Sequence, residues 1–520
     1  MNKRSSLLRT PFHTEIKSLL DNFGFEQTEL FAPPIMKPFI RKTDGEYISP
    51  YNLALRAMNN TPPTLDYNII SDCIDELCAH IIETLPSDLT LAPFSIEEAV
   101  NGAPDDEFLR RIKVTTSSGF GFSGPKLDHL PIVEEDVGVL IRELTDEGKV
   151  ILLDIINRLL SGETMNAVFV ACPKDEARDI TKVIRGKTRI FYIISLGYLI
   201  VSRMVLSPFY TLMVEHGDAF GTAVGINAHK DFEKVYHDFE DFSPNMMEGD
   251  YSGYDVSNPV MIARAANTVI HRLCEHYGYN AQSLQVLDGV LTDATYPLIS
   301  MNQDLFSKAG MQPSGKYGTA EDNSLRGILL LMYAFKSSPE YKGEAFFENV
   351  LALTYGDDML ASVKPECDWF NNNTYQVLCA ELYNMKYTTA SKDDDMYDYL
   401  PLRDCSFLKR RFRDHACGHI VGALDPNSLY KSMQWYLPSN VQSLEDQMVS
   451  TARSHLDEVF LHLGFDSFSR YRIALVELIC SAMAQLDGVE RDSSILLSMF
   501  PTYEEVSQRI FPDSRPESEG

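Results

Sequence analysis

The 520-residue sequence contains no C-x-x-C pair, no internal repeat and no long low-complexity linker. Its nine cysteines, Cys73, Cys78, Cys172, Cys274, Cys367, Cys379, Cys405, Cys417 and Cys480, are scattered and odd in number. That pattern suits reduced thiols in a cytosolic compartment, not a disulfide framework. Long hydrophobic runs are missing too. The most apolar stretch, Ile190 to Val201, is interrupted by Ser195 and closed by Arg203, which is too short for a bilayer span. Met1-Asn2-Lys3-Arg4 leads into no apolar segment of signal-peptide type. A soluble protein without a transmembrane segment is expected. Positive charge is also scarce, with 46 basic against 74 acidic residues and a formal charge of −28. Globally this argues against a nucleic-acid partner, but the local field of a cleft decides binding.

What is present begins with size. A chain of 520 residues exceeds what one hydrophobic core supports, so two or three subdomains are expected, and a hydrophobic content of 44% can fill them. From Ser257 the spacing turns helical. Asn258 can cap, Pro259 suits the first helical position, and Ile262, Ala266, Val269, Leu273 and Tyr277 recur on one face before Gly278. A second helix is expected from Thr319, with Asp322 as capping-box partner and Leu325, Ile328, Leu329, Met332 and Phe335 as its stripe. Leu444 to Leu463 and Ser469 to Leu486 are amphipathic, and 513–520 reads as a disordered tail.

Chemistry concentrates in a few short segments. Tyr355-Gly356-Asp357-Asp358 lies between the apolar runs Val350 to Leu353 and Met359 to Ala361. Gly-Asp between two strand-like runs predicts a hairpin with paired carboxylates at its tip, a group suited to a hard cation such as Mg²⁺. Alone, such a turn is more often merely solvated. Upstream, Asp250-Tyr251-Ser252-Gly253-Tyr254-Asp255 offers a facing acidic strand end, and together the two suggest two-metal phosphoryl transfer. Lys174, Arg178, Lys182, Arg185, Lys187 and Arg189 fall within sixteen positions, opposed only by Asp175, Glu176 and Asp179. Gly310-x₄-Gly315-Lys316 falls short of a phosphate-binding P-loop, because Tyr317 stands where a Ser or Thr should reach Mg²⁺ and Pro313 interrupts it. Cys405, His415, Cys417 and His419 cluster, but their spacing fits no standard zinc finger.

Taken in order, these segments resemble the RNA-dependent RNA polymerases of picorna-like positive-strand RNA viruses, over residues 115 to 413. The resemblance implies an α+β right-hand polymerase with fingers, palm and thumb, its antiparallel palm sheet backed by helices. It implies two Mg²⁺ ions (or Mn²⁺) held by Asp250, Asp357 and Asp358, with the Tyr251 backbone carbonyl contributing. Asp255, Ser314, Thr319 and Asn323 would recognise the ribose. Lys174, Arg178, Lys182 and Arg189 would hold the triphosphate, and Lys392 would protonate departing pyrophosphate. Thr116, Ser117 and Gly315 would contact the template. Lys409 and Arg410, in a hairpin similar to the primer grip, would contact the primer backbone. In the family, Lys316, Tyr317, Glu321 and Asp322 are less polar positions.

The expected division is fingers over 1–205, palm over 206–280, a fingers insertion over 281–311, palm again over 312–414 and a helical thumb over 415–512. RNA template, primer and NTPs are the expected partners, with a small protein primer and other viral replication proteins. The expected location is host cytoplasm, at membrane-associated replication complexes. The rivals are a reverse transcriptase, disfavoured by Asp255 where a bulky aromatic would exclude a 2′-OH, a catalytically silent RNA-binding scaffold with the same fold, and a P-loop NTPase.

Overall fold

The computed structural model describes residues 4–104, 106–136, 139–389 and 397–512. The tail expected over 513–520 lies outside the described residues. At the centre stands a four-stranded antiparallel sheet of β1 (Met246–Tyr251), β2 (Val350–Tyr355), β3 (Asp358–Val363) and β4 (Tyr387–Thr388), in the order β2-β3-β1-β4. Both faces of this sheet are covered, so β3 is apolar at successive positions where a half-solvated strand would alternate. The side-chain period of two survives in the packing. Met247, Ala352, Met359, Ala361 and Val363 join the largest core, whereas Met246, Leu353 and Leu360 join another, with Phe232, Phe407 and Phe412.

Helices α1 (Leu196–Glu215), α2 (Val260–His276) and α3 (Thr319–Ser337) fill the largest core. In α2 the expected stripe is buried at every position, but the helix begins at Val260 with Pro259 as its N-cap, and Asn258 instead ends the short turn Tyr254–Ser257. The α3 stripe widens to a continuous run, Asp322 to Phe335, because sheet and helices surround it on all sides. The apolar stretch after Ile190 also differs from expectation. It continues through α1, whose 20 residues are long and apolar enough for a membrane span by composition. Its window is 78% buried inside the fold, and Arg203 within it donates to the Ala99 carbonyl at 2.5 Å, as suits a central core helix.

A second sheet, of strands Asp304–Ser307, Leu298–Met301, Val168–Pro173 and Ile190–Ile193 in that order, carries the basic segment after its third member. A three-stranded sheet of Ser406–Phe407, Arg410–Asp414 and Ile420–Leu424 leads into the C-terminal helices Leu444–Phe460 and Phe465–Asp487.

The start of the chain packs against its C-terminal helices. Phe12, Ile16, Leu20 and Phe25 are buried among Leu456, Phe460, Tyr471 and Leu475 of the C-terminal helices. The Tyr430 hydroxyl donates to Asp21 Oδ1 at 2.7 Å, and Leu8 and Arg9 pair with Tyr436 and Trp435. Helix Glu15–Asn22 has one apolar side, and helices Pro426–Gln434 and Phe465–Asp487 supply the surface that covers it. Phe12→Ala is therefore expected to lower unfolding stability of the C-terminal helical unit by about 3 kcal/mol, read by chemical denaturation with limited proteolysis locating the loosened helices.

Candidate active site

The acidic turn forms the predicted hairpin. Tyr355 pairs with Asp358, and Gly356 alone of the two turn residues has positive φ, at 66°, the pattern of a type II′ turn. The Gly356 N–H donates to Ser324 Oγ at 2.9 Å, and Thr354 Oγ1 donates to the Ser324 carbonyl at 3.0 Å, so α3 clamps the tip from below. Gly249 opposes Met359, which carries Asp250 beside Asp358 one step further along the same ladder. Three carboxylates thus crowd one end of the sheet. Partial removal from water, and then the charges of Asp250 and Asp255, raise the Asp357 carboxyl to about 6. Burial, and then Asp357 and Asp250, raise Asp358 to about 7 against the opposing pull of Lys409. The Tyr251 side chain is buried against Tyr254, Tyr375 and Tyr387, so its backbone is what it offers at this edge.

Next to the carboxylates, Asp255 is held at both oxygens. Asn323 Nδ2 donates to Oδ1 at 2.8 Å, and the Ser314 hydroxyl donates to Oδ2. The Gln312 N–H also donates to the Asp255 carbonyl at 2.7 Å, tying the Ser-Gly loop to the strand end. Three of the four expected ribose residues therefore form one network. Thr319 sits one turn before Asn323 but donates instead to the Lys316 carbonyl at 2.9 Å.

Asp322 is not a capping-box partner. Helix α3 starts from Gly318 in the left-handed region at φ 74°, where a Cβ would strike the Tyr210 ring. Asp322 instead pairs with the Lys316 ammonium, both side chains buried, and accepts from Tyr210 at 2.7 Å. The unusual polarity of this stretch is thus a buried ion pair inside the protein. Tyr317 is likewise engaged within the fold, by Ser207 at 2.8 Å.

In the basic segment Glu176 is the hub. Lys174 reaches it at 3.0 Å, and Arg178 and Arg189 at 3.6 Å each. Arg189 also lies near enough to Asp357 to favour its charged form. Lys182 is half-buried on the short helix Ile180–Ile184, capped by Asp179. Thr116 and Ser117 are exposed, and the Lys126 ammonium donates to Thr116 Oγ1 at 2.7 Å and the Ser117 carbonyl at 2.8 Å. Gly315, at φ 115°, approaches the Tyr192 backbone so closely that a Cβ would lie 2.4 Å from its carbonyl oxygen. Lys392 lies outside the described residues.

Arg410, expected at the primer backbone, turns inward. Its guanidinium is buried, donating to both oxygens of Glu458 at 2.7 and 2.8 Å and to the Gly422 carbonyl at 2.9 Å. The turn residues Leu408 and Lys409 both have positive φ, so the hairpin reverses tightly and leaves Lys409 exposed while Arg410 turns inward. His229 shares the same carboxylate at 2.9 Å. The residues considered for zinc are each engaged elsewhere: His415 by the Phe460 carbonyl, His419 by Glu233, Cys417 by Tyr503 and Cys405 by the Pro401 carbonyl. Sequence reasoning missed Ser324, Glu176 as hub and Glu458. Ser324 directly follows Asn323 but carries no motif of its own, and Glu458 looks like any polar position of an amphipathic helix.

Hydrogen bonds and charge from Arg410 and His229 hold Glu458 down to about 2, overcoming its burial. Its contribution to stability is present above the ordinary glutamate value and fades as pH falls from about 4.5 toward 2. Arg410→Ala leaves that half-buried carboxylate with His229 as its one remaining side-chain partner, so a loss on the order of 3 kcal/mol is expected. Denaturant titration at pH 7 and pH 3 checks it, with the difference between variant and wild type shrinking at the acid end.

A family model for viral RNA-dependent RNA polymerase matches residues 83–473. The RNA1 polyprotein of Grapevine chrome mosaic virus is 26% identical over 444 residues, covering 79% of this chain and 19% of the polyprotein. The replicase polyprotein of Cricket paralysis virus is 24% identical over 478 residues, covering 86% of this chain and 27% of the polyprotein. The chain thus spans less than a third of either relative's length. The solved Sicinivirus 3Dpol RNA-dependent RNA polymerase superposes with a TM-score of 0.76 at 18% identity, covering 98% of this chain and 96% of that one. That likeness establishes the expected right-hand polymerase fold. With the family model covering three quarters of its length, the chain belongs to the viral RNA-dependent RNA polymerase family.

Proposed function

We propose that the chain adds ribonucleotides from NTPs to an RNA primer 3′ end on an RNA template, by two-metal phosphoryl transfer, to replicate a viral genome. The observation that carries this reading is the adjacency of three chemistries: the carboxylates Asp250, Asp357 and Asp358, the Asp255–Ser314–Asn323 network, and the cations gathered by Glu176. The carboxylate group fits divalent cations, because burial and then mutual repulsion raise Asp357 and Asp358, and a bound dication would relieve both. No three His, Cys, Asp or Glu side chains among the described residues form a ready-made cage. Mg²⁺ suits such a site, since it keeps waters and takes one or two carboxylates plus substrate phosphates. When bound, the ions supply charge neutralisation for the triphosphate and activation of the primer hydroxyl.

The protein's own contribution is positioning. Lys174, Arg178 and Arg189 offer the compact positive charge a triphosphate needs, with Glu176 orienting all three until the substrate competes for them. Asp255 and Asn323 can hydrogen-bond a 2′-OH, and a deoxyribose would leave those groups short of a partner. Lys409, exposed at its hairpin tip, suits a phosphate of the primer strand, whereas Arg410 supports that hairpin from inside. Lys392 is assigned the proton donor to pyrophosphate. The fingers are assigned to 1–205, the palm segments to 206–280 and 312–414, the fingers insertion to 281–311 and the thumb to 415–512. The protein primer, the viral protein partners and the membrane-associated cytoplasmic location belong to the same proposal.

Primed-template extension tests it. Asp357→Asn is expected to lower incorporation on the order of a thousandfold; Mg²⁺ is expected to raise the wild-type Tm by roughly 2 °C at pH 7.5 and to leave that of Asp357→Asn unchanged. Unchanged incorporation would overturn the metal assignment. Asp255→Ala is expected to reduce the preference for NTP over dNTP by about tenfold or more. Efficient dNTP use by the wild type would overturn the RNA assignment.

A further inference from the structure

Helix Pro426–Gln434 follows the Lys409 hairpin and carries Lys431, a residue that no sequence motif singles out. The helix is fastened to the segment that leads into the strand Phe31–Ala32. Asn427 Oδ1 accepts from the Thr28 and Glu29 N–H groups at 2.9 and 2.8 Å, and Asn427 Nδ2 donates to Thr28 Oγ1 at 2.9 Å. Two residues further along, Phe31 and Ala32 pair directly with Asp179 and Arg178 of the basic segment. The Lys431 ammonium lies 5.5 Å from the centre of the Phe31 ring. It is therefore delivered from the C-terminal side to the strand that carries Arg178.

Its surroundings are cationic. Burial first, and then the charge of Lys409, lower the Lys431 ammonium, with Arg178 and Lys174 adding to the repulsion and Glu176 opposing it. The acids of the segment are already committed. Asp175 accepts from Ser5 and from the Ser6 N–H, Asp179 accepts from the Thr181 and Lys182 N–H groups, and Glu176 is shared by Lys174, Arg178 and Arg189. No carboxylate forms an ion pair with Lys431 among the described residues. Lys174, Arg178, Lys409 and Lys431 thus lie close enough to repel one another, brought together from the basic segment and from the C-terminal side of the Phe31 strand. A fold holds like charges so close when a compact polyanion will occupy the space between them. An RNA backbone spreads its phosphates along a line, whereas a triphosphate concentrates its charge within one side chain's reach.

We propose that Lys431 binds the triphosphate of the incoming nucleotide, reaching it from the thumb side across from Lys174 and Arg178. The Phe31 ring holds the lysine stem, and the helix anchor at Asn427 fixes the height from which the ammonium approaches. This inference rests on the polymerase reading above and extends its triphosphate site to a second face.

The test compares Lys431→Gln and Lys431→Arg in the full-length protein. Two measurements are made: steady-state single-nucleotide incorporation, and equilibrium binding of inorganic tripolyphosphate. Lys431→Gln is expected to raise KM for NTP roughly tenfold, with kcat within about twofold, and to weaken tripolyphosphate by a similar factor. Primer–template affinity and Tm should stay unchanged, and Lys431→Arg should recover most of both losses. The inference fails if Lys431→Gln leaves KM and tripolyphosphate binding as in the wild type. It fails equally if the losses track a lowered Tm that Lys431→Arg does not restore, which would make Lys431 a packing residue on Phe31. A wild type that incorporates no nucleotide, yet loses tripolyphosphate affinity on Lys431→Gln, would overturn the polymerase reading and leave the anion site standing.

Discussion

Like charges held together against their own repulsion are the constraint on which the centre of this molecule depends. Asp250, Asp357 and Asp358 meet at one sheet end because β1 and β3 share a register that admits no slip. A shift of one residue would turn Asp358 to the other face and exchange the two cores packed on either side. The strain is resisted locally as well. The Ser324 hydroxyl fixes the Gly356 amide, and helix α3, buried along nearly its whole length, gives that hydroxyl an immobile base. The sheet, the central helix and their cores are in this sense a mount for three carboxylates.

Opposite charges are buried in pairs elsewhere. Lys316 with Asp322, and Arg410 with Glu458 and His229, are ionic groups removed from water and satisfied by one another. Removing one partner of such a pair is far more damaging than the pair's net value, which makes these contacts rigid joints. One joint shapes the loop leading into α3. The other fastens the hairpin that presents Lys409 to the helix Leu444–Phe460. Arg410, which looks like a nucleic-acid contact in the sequence, thereby serves as an internal fastener, and Lys409 beside it is exposed.

Legibility followed the range of the interactions. The hairpin at Tyr355 to Asp358 and the stripes of α2 and α3 are local patterns, set by turn geometry and helical period, and they were readable. Asp255, Ser314 and Asn323 could be grouped only through family resemblance, because their meeting depends on a loop returning to a strand end about sixty residues away. The inward turn of Arg410 was not legible, because charge type says nothing about direction. Its orientation follows from a two-residue reversal and from a glutamate 48 positions later. Asp322 was misread as a cap because sequence cannot reveal that Lys316 would be folded inward to meet it. The packing of Phe12 and Ile16 was invisible for the same reason, since their partners are at the other end of the chain.

That last feature sets the order in which the molecule can be completed. Thr10 donates to the Met433 carbonyl across 423 positions, and Tyr430 donates to Asp21 across 409. A ribosome releases the first of these residues long before the second, and contacts so distant in sequence are slow to find because the entropy of closing the loop comes first. The opening helix must therefore wait with its apolar side uncovered while the central sheet and its helices assemble. The two ends of the chain close last, around a body already built, and the C-terminal helical unit gains a stable core only when nearly the whole chain is available to it.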